Sequence, residues 1–426
     1  MHYSAVPDAH EDTFDGYLVY AFSPERGPDH EPEGPDRPAS FHARGLYDTE
    51  EIENAADPED PEDPKNPEDP EDLDAADLAV VCGYYDFAAR IRGGVRDVAG
   101  ISAVASPPEA RRRGFVRELL TNVHRELRED GVAFAALWPF EYPFYRRLGY
   151  ERICDYARIE VAPGPLASAC PDPTGSYERL DADDWPRLDA VYDEWATAEF
   201  RLNRSEDWWR DRVFESWGTD PYVYGWTDGD RGDELRGYVV YTITDDDDAE
   251  GKTMAVSEFA HVDREARGHL LRFCRNHDSQ VERVRFTGPA DTRLFDGLDD
   301  PRAAETEIRP GPMVRIVDVE RALEAIAYQE DSDATLVLDV RDDDCEWNDD
   351  VFHLRVADGR GAVERVAAAD EVDVSLDIGA LSRLVVGSHG VDGLVELGAV
   401  EVAAESDREM LATLFPETDP FLREGF

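Results

Sequence analysis

Apolar positions along this chain change period several times, and the changes outline three units. Residues 10–22 set Phe14, Tyr17, Leu18 and Phe22 in a pattern that predicts a short helix. Residues 78–91 and 96–106 read as strands joined through Arg92-Gly93-Gly94-Val95, a hairpin signal. Phe115, Val116, Leu119, Leu120, Val123 and Leu127 then form a helical stripe over 115–129, closed by Gly131, and 133–138 returns to a strand. The Pro-, Gly- and Ser-rich stretch 163–175 predicts a linker. A similar order begins after it. Acidic residues open a helix over 181–199, residues 205–214 carry Trp208 and Trp209, and strands at 236–244 and 253–260 flank a turn at 245–251. That turn is rich in aspartate, but Ser257 stands where a calcium loop needs its closing glutamate. A third pattern starts near Arg309-Pro310-Gly311, with a strand at 313–319, a helix at 320–328 and strands at 334–340, 351–356 and 372–376. Apolar stretches at 381–386 and 391–397 follow, with Gly387, Gly390 and Gly393 around them. The expected domains are 1–162, 163–309 and 310–426.

A length of 426 residues, 42% of them hydrophobic, agrees with several cores rather than one. No apolar run reaches the roughly 18–20 residues of a membrane span, and the first residues have neither a basic region nor an apolar signal core. A formal net charge of −53, with lysine only at Lys65 and Lys252, points to adaptation to molar salt in a haloarchaeal cytoplasm. There the screening length falls to about 3 Å and the acid ceases to repel. Such a balance argues against nucleic-acid binding, which needs a basic footprint. Residues 50–74 are an acidic repeat with Pro58, Pro61, Pro64, Pro67 and Pro70 every third position, expected as a disordered insertion. Cys82, Cys154, Cys170, Cys274 and Cys345 are odd in number and widely spaced, so neither a disulfide framework nor a zinc signature is expected, and no metal is predicted.

The chemistry concentrates at Arg111-Arg112-Arg113-Gly114, between a strand and a helix. A glycine opening a helix lets an anion reach unpaired N–H groups at the positive end of the helix dipole. Neighbouring guanidiniums add the charge and forked donors that suit a pyrophosphate. In the second unit, matching Glu265-Ala266-Arg267 to Glu109-Ala110-Arg111 puts Leu270 where Gly114 stands. On that register the second unit is a copy that kept its fold and lost its ligand.

A strand ending in Ser-Pro-Pro-Glu-Ala, then Arg-Arg-Arg-Gly and an amphipathic helix, resembles the acetyl-CoA site of GNAT acetyltransferases. Their pattern [Q/R]-x-x-G-x-[G/A] is met by Arg111, Gly114 and, imperfectly, Val116. With Ala136-Leu137-Trp138, Phe144-Tyr145-Arg146-Arg147-Leu148-Gly149-Tyr150 and a terminal Phe426, the whole chain resembles the Eis-type acetyltransferases. The resemblance implies an α/β (α+β) architecture: tandem GNAT domains, with mixed, mostly antiparallel sheets flanked by helices, followed by a sterol-carrier-like α+β domain. It implies acetyl-CoA contacts at Val104, Ala105, Ser106, Arg111, Arg112, Arg113, Gly114, Phe115, Val116 and Arg117, and a further contact region at Phe140 and Glu141. It also implies Tyr145 as general acid, the α-carboxylate of Phe426 as general base, Trp138 facing the substrate pocket, and a cytoplasmic homo-oligomer, a hexamer by resemblance to the family. Two departures stand out: Gly425 replaces an acidic residue that some relatives use for cationic substrates, and Ser106-Pro107-Pro108 is unusually proline-rich. The implied reaction moves acetyl from acetyl-CoA to a primary amine, such as a polyamine, an amino sugar or a protein lysine. Two other readings are a lipid carrier centred on 310–426 with a vestigial transferase, and an acidic scaffold built on the repeat.

Overall fold

Hydrophobic alternation along the first 160 residues produces one strongly built half-sheet and the helix that covers it. A computed structural model describes residues 1–26, 37–48, 73–216, 219–229, 232–245, 251–366 and 371–426. The aspartate turn at 246–250, and all but the last two residues of the acidic repeat, lie outside them. Strands β1 (His2–Ala5), β2 (Phe41–Tyr47), β3 (Leu78–Ile91), β4 (Gly94–Ala105), β5 (Phe134–Leu137) and β6 (Glu151–Arg152) belong to the first sheet, with helices α1 (Glu11–Phe22), α2 (Phe115–Glu129) and α3 (Tyr142–Arg146) beside it. The hairpin β3–β4 and helix α2 fall where the periodicity puts them. Leu119, Leu120, Val123 and Leu127 of α2 are buried against Ile101, Ala135 and Leu137 of the sheet. Each such side chain contributes roughly 1.5–3 kcal/mol relative to exposure.

The next strand, β7 (Asp155–Val161), leaves this sheet for a second one. The second is built from β8 (Ser176–Arg179), β10 (Tyr222–Gly229), β11 (Gly232–Asp245), β12 (Lys252–His261), β13 (Arg283–Pro289) and β14 (Ala304–Pro310), while short β9 (Leu202–Asn203) pairs with β3 of the first. Helices α4 (Trp185–Trp195) and α5 (Arg264–Arg275) cover it. Helix α4 is shorter than the acidic run suggests, because an Asp181–Asp184 capping box closes a separate turn and Pro186 starts the helix proper. Strand β15 (Met313–Ile316) crosses the other way and inserts between β5 and β6. Sheet membership therefore does not follow the linker composition at 163 or the turn at 310: the second sheet takes β7 from before its boundary, and the first takes β15 and short β9 from beyond its own. Both sheets keep one parallel pair among antiparallel neighbours, β4/β5 and β12/β13, the mark of a repeated unit.

The third sheet runs β18 (Arg360–Arg365), β17 (Asp350–Ala357), β16 (Ala334–Arg341), β19 (Val374–Asp377), β20 (Val400–Val402). Helix α6 (Val319–Ala325) lies before it, and α7 (Ile378–Val386), α8 (Val391–Glu396) and α9 (Glu405–Leu414) accompany it. Every residue of α7 is buried, so it joins the third core to β15 and the first unit. Arg315 of β15 lies in this seam, fully buried, 2.5 Å from Asp342 and donating to the Leu148 carbonyl. Gly149 makes that approach possible. Its φ is +78°, and a Cβ there would strike the Arg315 guanidinium and Ile378.

Candidate active site

Strands β4 and β5 pair in parallel only as far as Ile101 opposite Leu137. β4 continues past the end of β5 through Ser102, Ala103, Val104 and Ala105, still paired with β3 on its other side, so the edge that faced β5 is left without a partner strand. A register shift against β3, with Ala103 at φ +53°, bends β4 at this point. Val104 and Ala105 thus lie on the wall of a wedge that can pair with an extended amide-bearing ligand.

Residues 106–114 carry the chain from that edge to α2. Arg111 donates to the Ser106 carbonyl at 3.0 Å and folds the turn back on itself. Arg112 (φ +61°) and Gly114 (φ +90°) are left-handed, and a Cβ on Gly114 would meet nothing. No side chain caps the helix. Its first bond runs from Glu118 N–H to the Gly114 carbonyl, leaving the N–H groups of Phe115, Val116 and Arg117 without an intrahelical acceptor. Arg112 and Arg113 are exposed at this terminus. Arg113 lies over the Phe115 ring at 4.4 Å and only 3.9 Å from Asp48. Arg117 departs from its expected part: its guanidinium donates to Asp344 at 2.9 Å and to the Asp343 carbonyl, and so binds the third domain.

Tyr145 comes from α3, which starts after Phe140 and Glu141. The carbonyl of Glu141 accepts from Phe144 and Tyr145 N–H, while Phe140 is exposed and stands edge-on to Tyr145 at 5.4 Å. Phe144 and Tyr150 hold the other sides of the Tyr145 ring. Burial, with Cys82 adding to it, pushes the Tyr145 hydroxyl well above the usual phenol range. It keeps its proton at every ordinary pH.

The last residues return from the third domain to the junction of the first two units. Phe421 N–H bonds the Glu199 carbonyl at 2.8 Å, Trp138 donates its indole N–H to the Glu424 carbonyl at 2.7 Å, and Arg212 donates to the Gly425 carbonyl at 3.1 Å. The Glu424 carboxylate is buried against Arg204 at 2.7 Å and Tyr192, and Arg204 also pairs with Glu258 at 2.5 Å. Phe426 then lays its ring over Gly100, 4.9 Å from Phe87 and 6.3 Å from Tyr85. Gly100 is the partner of Ala136, one residue before β4 and β5 part. Trp138 is accordingly an anchor for the terminal segment, with its polar atom already used. Tyr85, Phe87, Arg204, Trp208 and Arg212 escape sequence reasoning; the Trp208-Trp209 pair was the visible signal, but nothing in the pattern says that the second unit forms a wall of the first unit's site.

Family models match three segments: an acetyltransferase (GNAT) domain at residues 73–153, a second such domain at 201–316 and a sterol carrier protein domain at 319–423. The N-acetyltransferase Eis of Mycobacterium tuberculosis is 30% identical over 313 residues, covering 69% of this chain and 72% of its own. The chain belongs to the Eis N-acetyltransferase family. It is an acyltransferase of the acetyl-CoA-dependent GNAT kind. An uncharacterised N-acetyltransferase of Streptomyces avermitilis is 26% identical over 81% of this chain and 86% of its own. Among solved structures, a probable N-acyltransferase from Enterococcus faecalis superposes over 100% of this chain and 99% of its own, with a TM-score of 0.80 at 21% identity. Eis1 from Mycobacterium abscessus covers 100% of both chains with a TM-score of 0.70 at 23% identity. Both show the same fold.

Within this Eis-type chain the second GNAT unit differs at the coenzyme position, though not as the motif alignment suggests. Leu270 is the seventh residue of α5 and is buried in the core, so it is not the counterpart of Gly114. The counterpart is Asp263, the residue that caps α5. Only Val262 and Asp263 separate β12 from α5, against nine residues between β4 and α2. The Asp263 carboxylate accepts from Ala266 N–H at 2.8 Å and pairs with Arg236. Burial opposes its charge, but Ala266 N–H and Arg236 outweigh that and hold its carboxyl below the usual range. A resident anion occupies the helix terminus and would repel a phosphate.

Proposed function

We propose that this enzyme transfers acetyl from acetyl-CoA to a primary amine by direct attack, with the coenzyme in the wedge between β4 and β5. The uncapped α2 terminus at Gly114, directly after the free edge of β4, carries this reading. Val104, Ala105 and Ser106 would bond the pantetheine amides. The N–H groups of Phe115, Val116 and Arg117, with Arg111, Arg112 and Arg113, would hold the pyrophosphate, and Phe140 and Glu141 would border the thiol end.

The neutral amine nitrogen attacks the thioester carbon, the C–N bond forms and the C–S bond breaks. The proton lost by the amine passes through water beside the α-carboxylate of Phe426 to solvent, and the departing sulfur takes the proton of the Tyr145 hydroxyl, which solvent restores, to leave as thiol. An α-carboxylate has an ordinary pKa near 3.5 and a thiol near 8.5, so the carboxylate positions the amine more than it captures its proton. Tyr145, held above the thiol's own pKa, donates a hydrogen bond to the sulfur while charge builds there. No helix among the described residues is long and apolar enough to cross a membrane, and the proposal is completed by a cytoplasmic homo-oligomer, a hexamer by resemblance, adapted to high salt. Free-thiol release from acetyl-CoA, followed in molar KCl with a panel of amines, tests the reaction. Amine-dependent release supports it, and no release with any amine contradicts it.

A further inference from the structure

Chain termini tend to fray, yet the last residues here are tied into a buried charge cluster. Glu424, two residues from the end, takes its hydrogen bonds through one carboxylate oxygen alone. That oxygen accepts from Arg204 Nε at 2.9 Å, from Arg204 Nη2 at 2.7 Å and from the Tyr192 hydroxyl at 2.9 Å, while the other is buried without a partner. Arg204 also donates to Glu258 of β12, from Nη1 at 2.9 Å and Nη2 at 2.5 Å. Its guanidinium lies over the rings of Tyr192 at 3.9 Å and Trp209 at 4.6 Å. Burial opposes the charge of Glu258, but Arg204 and Arg423 outweigh it and hold its carboxyl below the usual range. Two carboxylates and two guanidiniums balance, so the cluster calls for no outside charge.

A buried ion cluster is a weak source of stability, because desolvation opposes its Coulomb energy; setting register is its best-attested use. The members of this one come from different units. Glu424 belongs to the tail, while Tyr192 and Glu258 belong to the second unit. Arg204 directly follows β9, which pairs with β3 of the first sheet at Asn203 opposite Ala88. Arg204 thus takes its position from β3 beside Ala88, the neighbour of Phe87, whose ring stands 4.9 Å from that of Phe426. The Glu424 carbonyl accepts from Trp138 of the first unit. Glu424 is therefore fixed by its backbone to one unit and by its side chain to the other. Two residues span at most about 7 Å, so little chain is left to absorb a shift before the terminal carboxylate. A displacement of about 1 Å in a reacting group can lower a rate about a hundredfold.

We infer that Arg204 is a positioning residue: through Glu424 it sets where the Phe426 carboxylate stands, and the second GNAT unit serves the reaction as the mount of that terminus. The inference rests on the reading above, in which the Phe426 carboxylate holds the amine during acetyl transfer. It gives a task to a unit whose own helix terminus is closed by Asp263. One oxygen of Glu424 accepts every bond, so the carbonyl of a glutamine can do the same and a leucine cannot. Removing Arg204 would leave two buried carboxylates without their cation and endanger folding. Changing Glu424 leaves Arg204 paired with Glu258 and is the cleaner probe.

The test compares Glu424→Leu and Glu424→Gln with wild type in molar KCl by four measurements: kcat with an amine acceptor, acetyl-CoA affinity by calorimetry, melting temperature, and release of the terminal phenylalanine by carboxypeptidase. Glu424→Leu should lose about tenfold or more in kcat, keep its coenzyme affinity and melting temperature, and release phenylalanine faster. Glu424→Gln should stay close to wild type in all four. An unchanged kcat or unchanged phenylalanine release in Glu424→Leu, an equal loss of kcat in both variants, or a loss of kcat that coenzyme affinity or melting temperature follows would overturn the inference while leaving acetyl transfer standing. No turnover of any amine by wild type would remove the acetyl-transfer reading and this one with it.

Discussion

At the scale of single residues, position in the backbone decides chemistry more than residue type does. Gly114 and Asp263 both stand at the cap of a helix behind a parallel strand pair, yet one leaves the terminus open and the other fills it with its own carboxylate. Tyr145 and Tyr150 are both buried phenols near one another. Tyr150 spends its hydroxyl on His124 at 2.8 Å, whereas Tyr145 is the one the family resemblance assigns to proton donation. Tyr145→Phe should lower kcat by about 10² to 10⁴ with little change in KM for acetyl-CoA and an unchanged melting temperature, as steady-state kinetics and thermal melts would record. A kcat within twofold of wild type would remove Tyr145 from the reaction.

At the scale of elements, the terminal segment does the assembling. Residues 420–426 touch the second unit through Glu199, Arg204 and Arg212 and the first through Trp138, Phe87 and Gly100. A short extension beyond Phe426 would replace its carboxylate with a peptide group in a place already crowded by aromatic rings. Such a variant should lose at least a hundredfold in kcat while binding acetyl-CoA normally, and unaltered turnover would contradict the role of the carboxylate. The segment also marks where sequence reading stops. The β3–β4 hairpin, α2 and the Gly114 turn were legible because period and turn chemistry are local. The exchange of β7 and β15 between sheets was not, because an apolar strand carries no record of which neighbour it will pair with. The Leu270 register failed for a related reason: three matched residues cannot reveal that a loop has been shortened. Arg212 and Trp208 read as ordinary surface and core until the tail is laid beside them.

At the scale of the whole molecule, ion pairs across the seams join three cores into one body. Arg117 and His124 of α2 face Asp344, Arg128 meets Asp318 at 3.1 Å, and Glu151 meets Arg383. Burial alone would raise the Asp344 carboxyl, but His124, Arg315 and Arg117 hold it down to about 2. Its pKa is lower folded than unfolded, so its contribution is present above the ordinary value near 3.8 and fades as pH falls towards 2. Asp344→Asn should therefore cost about 2 kcal/mol at pH 7 and flatten the loss of stability between pH 4 and pH 2, as denaturant titrations at each pH would show. Equal pH dependence in variant and wild type would place the acid-sensitive contact elsewhere. The same body holds two GNAT units, of which only the first has an open helix terminus among the described residues. Calorimetric titration of acetyl-CoA tests that claim most directly. One coenzyme should bind per chain, and Gly114→Asp, which copies the cap of the second unit, should abolish the binding. Two coenzymes per chain, or undiminished affinity in Gly114→Asp, would contradict it.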